Sequence, residues 1–274
     1  MRRIVASTCV LAALLVVIPA ASALAWAPAG SATVHPGVMT FTAGAECTSN
    51  FVFKDGSNVF IGQAAHCSGT GAATDTNGCT SKSLPIGTPV DVGGASRPGR
   101  LVYNSWITMQ AIGTTDPNAC AYNDLALVKL NPADVGKVNP SVPGFGGPTG
   151  VGTAGGLGSK VYTYGNSELR GGVTKLSPKQ GVIIQNQGSG WSHNAYTATP
   201  GIPGDSGSGF MNASGKAIGV LSTVEFAPAA GSNNFGDIGR EIDYLHSHSP
   251  FAGARLVAGT KPFNPSLVQA IQGS

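Results

Sequence analysis

Apolar residues recur along the chain in short runs broken by turn residues. The clearest are Gly99–Trp106, Asp124–Leu130, Lys160–Tyr164, Gly181–Gln185, Gly209–Asn212 and Ala217–Val224. Runs of this length, rich in Val, Ile, Leu and aromatic residues, predict β-strands. Before residue 237 few segments carry a 3.6-residue apolar period. From Asp237 to about His246 the order places Ile238, Ile242 and Leu245 on one face, which predicts a short helix. Between Pro140 and Gly158 lie eight glycines and three prolines in nineteen residues, the sharpest break in the pattern. This stretch reads as a connection between two β units, residues 26–139 with an N-terminal arm and residues 159–274 with a C-terminal segment.

The first 25 residues follow a different rule. Met1-Arg2-Arg3 precedes a mostly apolar run from Ile4 to Ile18, then Pro19 and a small-x-small site ending at Ala25. That is the three-part secretory signal, so the mature chain is expected to start at Trp26 and to be extracellular. Cys9 sits before most of the apolar run, which does not suit lipid anchoring. Removing Arg2 and Arg3 lowers the formal charge from +3 to +1. No basic run is left to address nucleic acid or a membrane surface. Forty glycines, 18 prolines and only 11% charged residues argue against disorder and against long helices, and for an all-β globular chain.

Four cysteines remain, Cys47, Cys67, Cys79 and Cys120, an even count that in an exported chain reads as two disulfides. Asp55-Gly56 between two β-prone runs marks a hairpin that folds Cys47 back towards Cys67. Cys79 and Cys120 then pair by elimination. No paired C-x-x-C spacing supports a metal site.

Gly204-Asp205-Ser206-Gly207-Ser208-Gly209 surrounds a serine with glycines, which permits a tight exposed bend and aims successive N–H groups at one point. Ala64-Ala65-His66-Cys67 sets a histidine beside a half-cystine, and Asn123-Asp124-Leu125 sets an acid at the head of an apolar strand. A serine needs a base to become a nucleophile, and the base needs an acid to fix its tautomer. The chain order His…Asp…Ser differs from that of α/β-hydrolases and subtilisins. Asp116, in Thr-Thr-Asp-Pro-Asn, is the rival acid, but its neighbours make it a turn residue. His35, His193, His246 and His248 lack such a context and read as structural or surface groups.

On these three segments the chain resembles the chymotrypsin/trypsin-like serine endopeptidases, and secreted bacterial, notably actinobacterial, members in particular. The resemblance runs from about Ala45 to Leu245, and a Cys47–Cys67 bridge matches a disulfide common in that family. It implies two six-stranded antiparallel β-barrels with the site between them and a short C-terminal helix. His66, Asp124 and Ser206 would act as base, orienting acid and nucleophile, with the Gly204 and Ser206 amides as oxyanion hole. Pro200 would floor the specificity pocket and Ser222 and Val224 would wall it. The absence of an acid at Pro200 argues against trypsin-like cleavage, and Val224 implies small or medium apolar P1 residues. Ser208-Gly209 replaces the family's usual Gly-Pro after the nucleophile, and no Ile-Val-Gly-Gly-like segment follows the signal. Asp205 therefore needs an internal partner, with Arg170 the leading candidate or backbone N–H groups in its place, or else a new terminus cut near Val34. The expected partner is a polypeptide substrate, with a proteinaceous inhibitor as a further one, and the expected state is a monomer without cofactor or metal. A catalytically silent binding protein and an esterase are the rival readings.

Overall fold

A computed structural model describes residues 25–72, 75–225 and 229–274. The signal segment proposed above lies outside the described residues, apart from Ala25. Among the described residues no helix is long and apolar enough to cross a membrane.

The first half supplies seven strands and two helices: β1 (Met39–Thr42), β2 (Ala45–Thr48), β3 (Val52–Asp55), β4 (Asn58–Ala64), β5 (Pro89–Val92), β6 (Gly99–Asn104), α1 (Ser105–Ile112), α2 (Pro117–Tyr122) and β7 (Leu125–Lys129). The second supplies β8 (Lys160–Tyr164), β9 (Pro178–Gln187), β10 (Ser192–Ala198), β11 (Gly209–Asn212), β12 (Ala217–Val224) and β13 (Asn233–Asp237). Helix α3 (Ile238–His248), strand β14 (Arg255–Leu256) and helix α4 (Leu267–Gln272) follow. The predicted hairpin is present, with Phe53 opposite Phe60 and Asp55 opposite Asn58 across β3 and β4. Ile238, Ile242 and Leu245 are buried on one face of α3, as their spacing requires.

Strands β8–β13 close a six-stranded antiparallel barrel in the order β10-β13-β12-β11-β8-β9. Phe210 and Phe235 stack in its interior at 4.3 Å between centroids, with Val161, Ile183 and Leu221 around them. Burial of each such ring is worth roughly 2–3 kcal/mol.

The first half departs from the expected closed six-stranded barrel. Its sheet has eight strands in the open order β14-β3-β4-β7-β6-β5-β1-β2. With β14 set aside, the two ends of this order are β3 and β2, consecutive pieces of chain parted only by Ser49–Phe51. The bend takes its backbone donors out of a common ladder: Ser49 N–H donates to Val38 O, whereas Asn50 N–H crosses to Gly62 O. Counting residues 45–55 as one bent strand leaves six, closed by the chain itself. The eighth position is β14, a C-terminal strand that adds to β3.

Strand β4 shows no in-out alternation and is buried on both faces. Phe60, on the outer face, is covered edge-to-face by Phe251 at 5.3 Å. The remaining core joins the halves, with Phe51, Phe60 and Tyr103 from the first and Tyr162 and Met211 from the second. The run Gly99–Trp106, read as one strand, stops at Asn104. There the Asn104 carboxamide accepts from the amides of Trp106 and Ile107 and starts α1. Asp116 likewise caps α2 through the Asn118 amide, and Pro117 occupies the first helical position.

Candidate active site

His66 sits in a single 3₁₀ turn, Ala65–Ser68, at the end of β4. Two devices hold this turn. The Cys47–Cys67 disulfide ties it to β2, and the buried Asn104 amide donates to Ala65 O at 2.9 Å and Ser68 Oγ at 2.8 Å. The second bridge joins Cys79 to Cys120. Sulfurs of Cys47 and Cys67 lie close to the His66 ring nitrogens, but both are spent in the disulfide and offer no thiolate to a metal.

Asp124 lies one residue before β7 and is 2% exposed. Its Oδ1 accepts from the His66 backbone N–H at 2.9 Å. Its Oδ2 accepts from His66 Nδ1 and from Ser222 Oγ, both at 2.6 Å. A carboxylate can only accept, so Nδ1 carries the imidazole proton and Nε2 presents a lone pair. Burial works against charging His66, yet the Asp124 charge and hydrogen bond outweigh it and hold the imidazole pKa above its ordinary value.

Ser206 is half-buried in the turn between Ile202 and Gly209. Its carbonyl accepts from Thr48 N–H at 2.8 Å, and Gly207 N–H donates to Leu221 O at 2.7 Å, which sets the serine beside β2 and β12. Gly204 and Gly207 have φ of +93° and +87°. A side chain at Gly207 would also stand 2.6 Å from Thr48 O, so this backbone tolerates only glycine. Among the described residues no hydrogen bond joins the Ser206 hydroxyl to His66; the serine is positioned through its backbone alone.

Beside the serine, Ser167 Oγ donates to Pro203 O at 2.6 Å. Because a trans peptide unit is planar, fixing that carbonyl turns the Gly204 N–H to the opposite side. Among the described residues neither the Gly204 nor the Ser206 amide donates to a protein acceptor. Two backbone donors of the serine turn are therefore left without a protein acceptor.

Asp205 is fully buried, and Arg170 is its partner, as expected. A second cation was not foreseen: Lys179 Nζ, 2% exposed, lies 2.7 Å from the same Oδ2. The Ile202 amide adds a third donor at 3.1 Å. Burial pushes the Lys179 amine below its ordinary pKa, against the pull of Asp205. Lys179 is the second residue of β9, and nothing in that run marks it as an inward-facing charge.

Of the expected pocket residues, Pro200 is exposed and its carbonyl accepts from Lys179 at 3.2 Å. Ser222 turns its hydroxyl to Asp124. Val224 reaches across to Gly201, with Cγ2 3.3 Å from the place a Gly201 Cβ would take. His193 is held by Asn186 and Asp237, and His246 by Ala254 O, in keeping with structural roles.

Sequence reasoning also missed Glu241. This residue of α3 is fully buried, and its Oε1 accepts from Asp124 N–H at 2.8 Å. Burial, with the nearby Asp124 and Asp237 charges, pushes its carboxyl pKa well above the ordinary range. A neutral acid can anchor the Asp124 backbone without placing a second charge beside it. Its i+3 position from Ile238 puts it on the apolar face of α3, the one cue the sequence held.

No protein-family model and no curated protein sequence matches the chain. Solved structures do. Thermobifida fusca Protease A superposes with a TM-score of 0.53 at 20% identity, over 82% of this chain and 99% of that one. The fold is that of the chymotrypsin-like serine proteases. A Nocardiopsis protease matches at 18% identity and a TM-score of 0.48, over 81% and 98% of the two chains. In the chymotrypsin-like fold found here, His66 and Asp124 come from the first half and Ser206 and Ser222 from the second.

Proposed function

We propose that the protein is a secreted serine endopeptidase working through an acyl-enzyme. Ser206 would attack the peptide carbonyl while His66 Nε2 takes its proton and later returns it to the leaving amine. Asp124 would orient His66 and stabilise the imidazolium, and the Gly204 and Ser206 amides would receive the oxyanion. The observation that carries this reading is the hydrogen-bonded line from Ser222 through Asp124 to His66, beside a glycine-flanked serine whose turn leaves two amides undonated. The secretory leader and two disulfides support an extracellular location. The contact of Val224 with Gly201 supports small or medium apolar P1 residues.

Ser206→Ala should lower turnover of casein about 10⁶-fold with the fold intact. A fluorophosphonate probe should label the unaltered protein at Ser206 and leave the variant unlabelled. A folded protein that never labels would instead be a binding module on this fold. Comparing amide with ester turnover separates a peptidase from an esterase.

A further inference from the structure

A concavity of about 560 Å³ opens on the outer face of the first sheet, and none of its lining residues belongs to the triad. Pro89, Arg97, Pro98, Arg100, Lys129 and Pro132 supply its polar rim and most of its walls. Pairing puts Pro89 opposite Arg100 and Arg100 opposite Lys129, so these three form a row on one face across β5, β6 and β7. Side chains directly opposite on neighbouring strands stand close together, and like charges there repel. No acid lines the concavity to relieve that repulsion.

The buried carboxylate of Asp134, bonded to the loop that carries Arg97, does not compensate. Asp134, fully buried, is taken up by Lys137 at 2.8 Å, by the Ser96 amide and hydroxyl at 2.9 and 2.7 Å, and by the Arg97 amide at 3.1 Å. Those bonds fix the backbone that carries Arg97, so its guanidinium projects from a braced loop. Arg100 spends one N–H on Gly87 O at 3.1 Å. The side chains of Arg97 and Lys129 have no acceptor among the described residues. Three cations thus line a mostly apolar, proline-walled concavity of a size that suits a short ligand.

We propose that this concavity binds an acidic peptide segment, with carboxylates on Arg97, Arg100 and Lys129 and apolar atoms on the prolines. Guanidinium forks match carboxylates in two-point geometry. The apolar walls favour a peptide over a fully hydrated sulfated sugar. If the endopeptidase reading holds, the natural occupant is an acidic stretch of the substrate, captured away from the scissile bond.

The test uses the full Ser206→Ala protein, so that binding is read without any turnover. A fluorescein-labelled hexapeptide of glutamate and proline is titrated by anisotropy at low and at physiological salt. Saturable binding that weakens with salt, and at least ten-fold further in Arg100→Ala/Lys129→Ala, supports the proposal. Arg97→Glu, on the loop outside the sheet, should give the same loss if the double variant does not fold. Absence of saturable binding, binding unchanged in the variants, or tighter binding of a sulfated oligosaccharide or free phosphate would each overturn it. In the unaltered protein, an acidic extension on a peptide substrate should lower KM with kcat unchanged. A silent enzyme that still binds the hexapeptide would contradict the endopeptidase reading and leave the site standing.

Discussion

At the scale of single residues, the arrangement around Asp124 is directional. Three donors converge on its carboxylate, two from His66 and one from Ser222, and a fourth group, Glu241, anchors its backbone. The consequence for pH follows from the sign of the His66 shift. The base works only when neutral, and its pKa is raised, so the acidic limb of kcat/KM should lie above the ordinary histidine value of 6.5. In Asp124→Asn the raising cause is removed and desolvation remains, so the limb should move to lower pH. The wrong imidazole tautomer should also cut kcat by about 10⁴-fold. A pH–rate profile of the two proteins checks both points. A limb that stays in place in the variant would show that Asp124 does not set the His66 charge.

At the scale of elements, the end of β12 is where specificity should be decided. Val224 Cγ2 lies 3.3 Å from where a Gly201 Cβ would stand, and in the proposed reading it would take the space a large P1 side chain needs. Val224→Gly should therefore raise kcat/KM for P1 Phe relative to P1 Ala by about 10-fold or more, the worth of a few methylenes in a pocket. A peptide library scored on both proteins measures this, and an unchanged profile would remove Val224 from the pocket wall. Much at this scale could be read from the chain. The β3–β4 hairpin, the 238–245 helical face and both disulfides followed from turn chemistry and spacing. What escaped depends on contacts distant in sequence. Helix α1, Ser-Trp-Ile-Thr-Met-Gln-Ala-Ile, opens on β-prone Trp, Ile and Thr, and its start is marked by the Asn104 cap. The bend at Ser49–Phe51 is set by Gly62 across the sheet, and β14 was too short to register as a strand. Lys179 and Glu241 are residue types that ordinarily lie at the surface, and only the fold shows what each of them meets.

At the scale of the whole molecule, the site is assembled across both halves, and so its readiness depends on what holds Asp205. A buried carboxylate stripped of partners would be strongly unfavourable and would drag the adjoining serine turn with it. Here Arg170, Lys179 and the Ile202 amide already converge on Asp205 Oδ2, so no freshly cut terminus is required to neutralise it. The alternative cut near Val34 meets an ordered segment. Ala27 N–H donates to Val138 O at 2.9 Å, and Asn139 Nδ2 reaches Ala27 O at 2.6 Å. Val34 itself is fully buried in a parallel bridge with Val138, and releasing a terminus there would strip a residue from the core. A chain beginning at Trp26 should accordingly be fully active before any proteolysis. With two cations on one carboxylate, Arg170→Ala and Lys179→Ala should each keep part of that activity. The double variant should lose the oxyanion geometry and at least about 10²-fold in kcat, the usual worth of one oxyanion donor. Assays of the Trp26 chain before and after limited proteolysis, alongside the three variants, decide the matter. Silence until a cut near Val34, or full activity in the double variant, would sink the internal-partner account.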